Sequence, residues 1–174
     1  PPALVERMSE SPDQEYGFSG ESRDMTVLFA DLRGFTGIAE TMEPHELTRF
    51  MHEWLPPMTR IIHRHGGTVD KYMGDCVMAF WGAPLPDPEH AAHALDAAME
   101  MLAEIPRLNR QFARRGWPQL RLGIGVNSGE MRVGNMGSEF RVTYTVLGDA
   151  VNLGSRLESL TLRYGVPIIV GAAV

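Results

Sequence analysis

The stretch Val69 to Trp81, VDKYMGDCVMAFW, constrains the fold more than any other part of the chain. β-Formers on either side of a glycine predict a hairpin: a strand through Val69, Lys71 and Tyr72, a tight turn at Met73 and Gly74, and an apolar strand from Cys76 to Phe80. Glycine takes φ > 0 without strain, so Asp75 beside it opens the second strand at a loop edge, where a carboxylate is free to hold a cation. Lys71 stands four residues earlier across the turn. Pointing into one site, the two side chains would pair with each other, so a chain that uses both must keep them apart.

The 174 residues are 44% hydrophobic and 22% charged, enough to bury the core of one domain. A formal charge of −6 argues against nucleic acid or an acidic membrane surface as the main partner, because both are bound by clustered Lys and Arg. A negatively charged substrate would need a local device such as a metal ion. Cys76 is the only cysteine, which rules out an intrachain disulfide, and its apolar strand makes it a small buried hydrophobe in a reducing compartment. No apolar run approaches the roughly 20 residues of a membrane span. The chain starts at Pro1 without an initiator Met and reads as a piece of something longer.

Residues 1–24 show little periodicity and read as a linker or tether, with at most a short helix over Ala3–Met8 and with Glu21, Arg23 and Asp24 in a solvated turn. The domain proper is expected over 25–174. Met25–Ala30 is a buried strand running into Asp31, followed by Leu32, Arg33, Gly34, Phe35 and Thr36. A strand ending in Asp, a glycine turn and a helix start make a phosphate cradle, with backbone N–H groups at an anion and the carboxylate on its cation. Asp31 serves equally well as a helix cap, and this stretch alone leaves both readings open.

Leu47, Phe50, Met51, Trp54, Met58, Ile61 and Ile62 recur at helical spacing between Pro44 and His65, a long helix that Pro56 and Pro57 should kink or split and that Gly66 and Gly67 end. A second helix spans Glu89–Phe112, with Pro106 as a breaking point. Leu120–Val126 alternates as a strand, Asn127–Gly137 is turn-rich with a short strand near Met131–Val133, and Val142–Leu147 is a further strand. A helix over Gly148–Arg163 and a strand over Val166–Val170 complete the chain. The order β, α, α, β, β, α, β, β, α, β predicts an α+β fold. Its core is a ferredoxin-like βαββαβ unit with an extra helix and strands, an antiparallel sheet carrying its helices on one face.

Gly123, Gly125 and Gly129 miss the dinucleotide fingerprint in spacing and lie in a strand. His63, His65, His90 and His93 have no Cys or acidic partner at ligand spacing and read as solvated helix-end residues. No G-x-S-x-G pattern supports acyl transfer. More informative is TVLGDAVNLGSR, Thr145 to Arg156: Asn152 and Arg156 lie at i, i+4 on one helix face, where an amide and a guanidinium can grip a sugar and a phosphate together. Taken singly, each is also ordinary: Asn152 a plain helix residue, Arg156 paired with Glu158 or a surface carboxylate, and Asp149 a cap or first-turn acid. Taken with the two edge carboxylates, the cradle and Lys71, they make a nucleotide site.

Three stretches in order, VLFADLRGFT (Val27–Thr36), GGTVDKYMGDCVMAFWGAP (Gly66–Pro84) and YTVLGDAVNLGSRLE (Tyr144–Glu158), resemble the class III nucleotidyl cyclase catalytic domain. The resemblance implies an adenylate cyclase making cyclic AMP and pyrophosphate from ATP, with two Mg²⁺ or Mn²⁺ ions held at Asp31, Leu32 and Asp75. It further implies that Lys71 and Thr145 read the purine, that Gly34, Phe35 and Thr36 bind substrate, and that Asn152 and Arg156 orient the ribose and stabilise the transition state. Family members work as homodimers with two shared sites, so Lys71 would serve the metals of the partner, which answers how Lys71 and Asp75 stay apart. Threonine at 145, where many members carry Asp, is similar to the bicarbonate-responsive subgroup and makes bicarbonate a candidate activator. A phosphate-contacting lysine of the family would fall beyond Val174, so the C-terminal end is expected to be truncated. The expected location is cytoplasmic, with membrane attachment only through parts outside this sequence. Two readings compete: a catalytically silent nucleotide-binding or dimerisation module, which the retention of all six side chains opposes, and a two-metal enzyme such as a diguanylate cyclase, which the Lys71/Thr145 pair and the lack of a GGDEF-like hairpin oppose.

Overall fold

Strand β1 (Gly20–Leu32) lies at the centre of the strand order of a six-stranded sheet, paired with β3 (Cys76–Trp81) on one side and β4 (Leu122–Ser138) on the other. The computed structural model describes residues 20–138 and 140–174, so the short helix expected over Ala3–Met8 lies outside the described residues. After β1 come α1 (Phe35–Thr41), α2 (Pro44–Arg64), β2 (Thr68–Met73), β3 (Cys76–Trp81), α3 (His90–Arg114), β4 (Leu122–Ser138), β5 (Arg141–Leu147), α4 (Asp149–Tyr164) and β6 (Ile168–Val170). The sheet order is β2-β3-β1-β4-β5, with β6 also on β4. The segment β2-β3-β1-β4 is antiparallel throughout and, with its intervening helices, is the expected βαββαβ core. Strand β6 departs from the expectation by pairing parallel to β4, Ile124 opposite Ile168.

Alternation along β1 feeds two cores. Leu28, Ala30 and Leu32 join Phe50, Trp54, Met58, Ile61 and Ile62 of α2 and Ala94, Ala97, Ala98 and Met101 of α3. Met25, Val27 and Phe29 join Met78, Phe80, Met131, Val133, Val146 and Val151 on the other face. Burial on both faces explains why β1 reads as an unbroken apolar run. It also corrects the expectation that helices cover one face only, since α4 lies over the second. Glycines let it approach: a Cβ at Gly125 would stand 2.4 Å from the Gly154 carbonyl oxygen, and one at Gly154 would stand 2.8 Å from Val27. The strand glycines that miss the dinucleotide fingerprint are thus the floor on which α4 rests.

Three more boundaries differ from the expectation. The strand starts at Gly20, so Glu21, Arg23 and Asp24 are in β1 and not in a linker turn, and Arg23 donates to the carbonyls of Gly82 and Pro84 at 3.1 and 3.2 Å. Residues 127–137 are not turns but the middle of β4, whose pairing with β1 runs unbroken from Leu32 opposite Leu122 to Gly20 opposite Gly134. A glycine-rich sequence with weak β-propensity is carried there by a continuous partner. Helices α2 and α3 run through Pro56, Pro57 and Pro106 without a break, because buried residues on either side of each proline anchor both halves. No helix among the described residues is long and apolar enough to cross a membrane.

Candidate active site

The hairpin forms as expected, shifted by one residue. Met73 pairs with Cys76, so the turn is Gly74–Asp75 and Asp75 sits in the turn itself. Gly74 has φ +63° and Asp75 a negative φ, and glycine takes the first position without strain. Two bonds hold the tip: Trp54 of α2 donates its indole N–H to the Asp75 carbonyl at 3.3 Å, and the Leu32 N–H donates to Asp75 Oδ2 at 3.1 Å. The second bond ties the turn to the end of β1, where Asp31 lies.

Asp31 is half-buried, faces Gly123 across the ladder, and does not cap α1: the N-cap is Gly34, in the left-handed region, with no side-chain capping bond. The cap reading therefore fails. The carboxyl groups of Asp31 and Asp75 interact directly. Burial first, then the charge and hydrogen bond of Asp75, then the charge of Glu158 push the Asp31 pKa up to about 7. Glu158, on α4, is itself raised, by burial above all and by the charge of Asp75 as well. No group of three or more His, Cys, Asp or Glu side chains in metal-binding array occurs among the described residues. Two adjoining carboxylates with unrelieved charge beside the backbone of Leu32 nonetheless fit a hard cation that takes oxygen ligands. At the first turn of α1, N–H groups of Phe35 and Thr36 precede the first intrahelical bond, from Ile38 to Gly34 O.

The pH dependence follows from the direction of this shift. A carboxyl with a raised folded pKa contributes stability that is whole below its ordinary value of 3.8 and is lost as pH rises through about 7. The metal-free protein should melt at a lower temperature at pH 8 than at pH 5, and millimolar Mg²⁺ should raise the melting temperature more at pH 8. A Mg²⁺ shift that is equal at both pH values, or absent, would remove Asp31 from the cation site.

Lys71 and Thr145 are brought together. The two ends of the strand order, β2 and β5, come into contact, and the Phe80 ring of β3 lies 6.2 Å from the Tyr144 ring of β5. Lys71 Nζ is 3.4 Å from Thr145 Oγ1. Its acidic neighbour is Asp70, at 3.4 Å, and not Asp75. A bulge accounts for this: Val69 pairs with Ala79 and Lys71 with Met78, leaving Asp70 as the extra residue. Thr145 in turn donates its hydroxyl to Asp70 Oδ2 at 2.5 Å. Asn152 and Arg156 are exposed on α4, and neither side chain is hydrogen-bonded or ion-paired to another described residue, so the Arg156–Glu158 pair does not form.

Sequence reasoning missed Asp70 and Glu158. For Asp70 the only signal was its place beside Lys71, which strict strand alternation assigns to the opposite face; the bulge overrides that. The histidines are better partnered than expected: His65 bonds Glu100 at 2.7 Å, His93 bonds Asp87 at 2.8 Å, and His90 bonds Thr26 at 2.7 Å. They are structural bonds at helix ends. Burial, and then the charges of Asp31, Glu158 and Asp75, push the half-buried Cys76 thiol up to about 12, which leaves it inert.

Known proteins resemble this chain along most of its length. The family model for the adenylate and guanylate cyclase catalytic domain matches residues 19–169. An adenylate cyclase of Anabaena cylindrica is 38% identical over 160 residues, 90% of this chain and 31% of that protein. Adenylate cyclase 1 of Rhizobium meliloti is 33% identical over 152 residues, 87% of this chain and 23% of that protein. The chain thus spans a third or less of these relatives. Among solved structures, the guanylyl cyclase Cya2 superposes with a TM-score of 0.79 at 39% identity, covering 82% of this chain and 72% of that one. The adenylyl cyclase CyaB from P. aeruginosa gives 0.79 at 37%, covering 82% and 74%. With the family's model matched along nearly the whole described length, the chain belongs to the adenylate and guanylate cyclase catalytic domain family.

Proposed function

We propose that this domain converts ATP to 3′,5′-cyclic AMP and pyrophosphate with Mg²⁺ or Mn²⁺, at sites shared between two copies of the chain. The observation that carries the choice of base is the meeting of Lys71 Nζ and Thr145 Oγ1 at 3.4 Å. Adenine offers an acceptor at N1 and a donor at its 6-amino group, which suits a lysine donor beside a threonine oxygen. Guanine would turn N1–H toward the ammonium. The two relatives named as adenylate cyclases support this reading, and the likeness to a guanylyl cyclase makes the base the point to test.

Asp31 and Asp75, with the Leu32 carbonyl, are the groups that would hold two divalent ions, which when bound supply acidification of the ribose 3′-hydroxyl and neutralisation of the triphosphate. The N–H groups at Gly34, Phe35 and Thr36 bind the phosphates. Asn152 orients the ribose, and Arg156 offsets charge growing on the α-phosphoryl oxygens as the 3′-oxygen attacks and pyrophosphate leaves. Exposed and unengaged within one chain, Asn152 and Arg156 are available to the metal-side half of a second copy. Thr145, where many family members carry Asp, makes bicarbonate a candidate activator.

Purified protein incubated with ATP or GTP and Mg²⁺ or Mn²⁺, with products separated and weighed, tests the proposal. Cyclic AMP from ATP is expected, with GTP turned over at least about tenfold more slowly. Cyclic GMP as the main product, or no cyclic product with either nucleotide, would overturn it.

A further inference from the structure

Asp70 has no role in the site as described above, yet its side chain is fully buried, 0% exposed, beside the two base-reading residues. A buried carboxylate is costly unless its oxygens are engaged. Here each oxygen has a different neighbour. Oδ2 accepts the Thr145 hydroxyl at 2.5 Å. Oδ1 has no hydrogen-bond partner among the described residues and lies 3.4 Å from Lys71 Nζ, an ion-pair distance.

A threonine hydroxyl has one proton and two lone pairs, and a carboxylate can only accept. With its proton committed to Asp70, the Thr145 oxygen can offer a ligand nothing but an acceptor. We infer that Asp70 is a positioning residue for base choice: it fixes the direction of the Thr145 hydroxyl and so makes the site select a 6-amino purine over a 6-oxo purine. This deepens the ATP reading and rests on it. Without Asp70 the hydroxyl is free to rotate and donate to a 6-oxo group, and Lys71 with Thr145 alone would discriminate much less. Selection thus comes from an unfavourable meeting of two acceptors as much as from a favourable contact.

Asp70→Asn gives a sharp test, because the amide keeps the shape and changes the polarity. The Lys71 ammonium demands an acceptor, so the Asn oxygen should face Lys71 and its NH₂ should face Thr145. That donates into the threonine oxygen and releases the hydroxyl proton toward the ligand. The probes are ATP and inosine triphosphate, which differ at the 6-position and N1 without the 2-amino group of guanine. In Asp70→Asn the ratio of kcat/KM for ATP to that for inosine triphosphate should fall about tenfold to a hundredfold, mainly through KM, because the base is remote from the reacting atoms. In a Thr145→Val background the same change should move the ratio by less than about twofold, since the group through which Asp70 acts is gone. A purely structural role would lower both substrates together and leave the ratio alone.

The hydroxyl can also be read in the parent protein by NMR, independently of whether Asp70→Asn folds. The Thr145 hydroxyl proton, assigned by its loss in Thr145→Val, should exchange slowly with solvent. A parent that prefers ATP but whose ratio survives Asp70→Asn, or whose Thr145 proton exchanges as fast as a free hydroxyl, overturns the inference and leaves the ATP reading standing. A parent that makes no cyclic AMP overturns both.

Discussion

Asp31→Ala or Asp75→Ala should leave below roughly 5% of parental cyclic nucleotide formation at saturating Mg²⁺, with the fold intact. The loss is expected because each change removes a carboxylate proposed to hold the ions. The fold should survive because both side chains are half-exposed at a loop edge, and neither belongs to the apolar cores. Stability should even move the other way for Asp31→Ala. In the metal-free protein burial first, and then the charges of Asp75 and Glu158, push the Asp31 pKa up to about 7, so removing the carboxylate relieves both at pH 8. The variant should therefore melt no lower than the parent without metal and should lose the parent's response to Mg²⁺. Activity above that level at saturating metal would show that these carboxylates do not hold the ions.

The sheet was legible in the sequence wherever local preference and tertiary pairing agree. The hairpin, the apolar run of β1 and the stripes of α2 and α3 each declare themselves by period, and the element order follows. What escaped was set by partners far away in sequence. β4 looks like turns because Ser128, Gly129, Gly134 and Gly137 lack β-propensity, yet β1 and β5 pair with it along its length. The start of β1 was hidden for the same reason, since Glu21, Arg23 and Asp24 are polar on a strand whose register comes from β4. The second helix-covered face was hidden because glycine contacts such as Gly125 with Gly154 leave no apolar pattern to read.

At the site, residues singled out for their chemistry proved to be neighbours in two groups: Asp31 with Asp75, and Lys71 with Thr145. Asp70 could not be read because a bulge has no signature in this sequence, and the bulge puts adjacent residues around one threonine. Within one chain the opening problem of the hairpin has a local solution, with Lys71 drawn to Asp70 and Asp75 tied to Leu32. The proposed division of labour between two copies goes further, and it has a consequence that symmetry makes quantitative.

In a two-fold dimer each site would take Asp31 and Asp75 from one copy and Lys71, Asn152 and Arg156 from the other. Asp31→Ala and Arg156→Ala homodimers should then both be inactive, because both of their sites carry a lesion. Mixing them changes the count. A heterodimer has one site with both lesions and one with neither, and random pairing makes about half of all dimers mixed, so activity should return to roughly a quarter of the parent's at equal total protein. The decisive measurement is cyclic AMP formation by the two variants after they are unfolded and refolded together, with heterodimers verified by differently tagged chains. Recovery to roughly a quarter of parental activity is the predicted result; verified heterodimers that remain inactive would contradict a site shared between two copies.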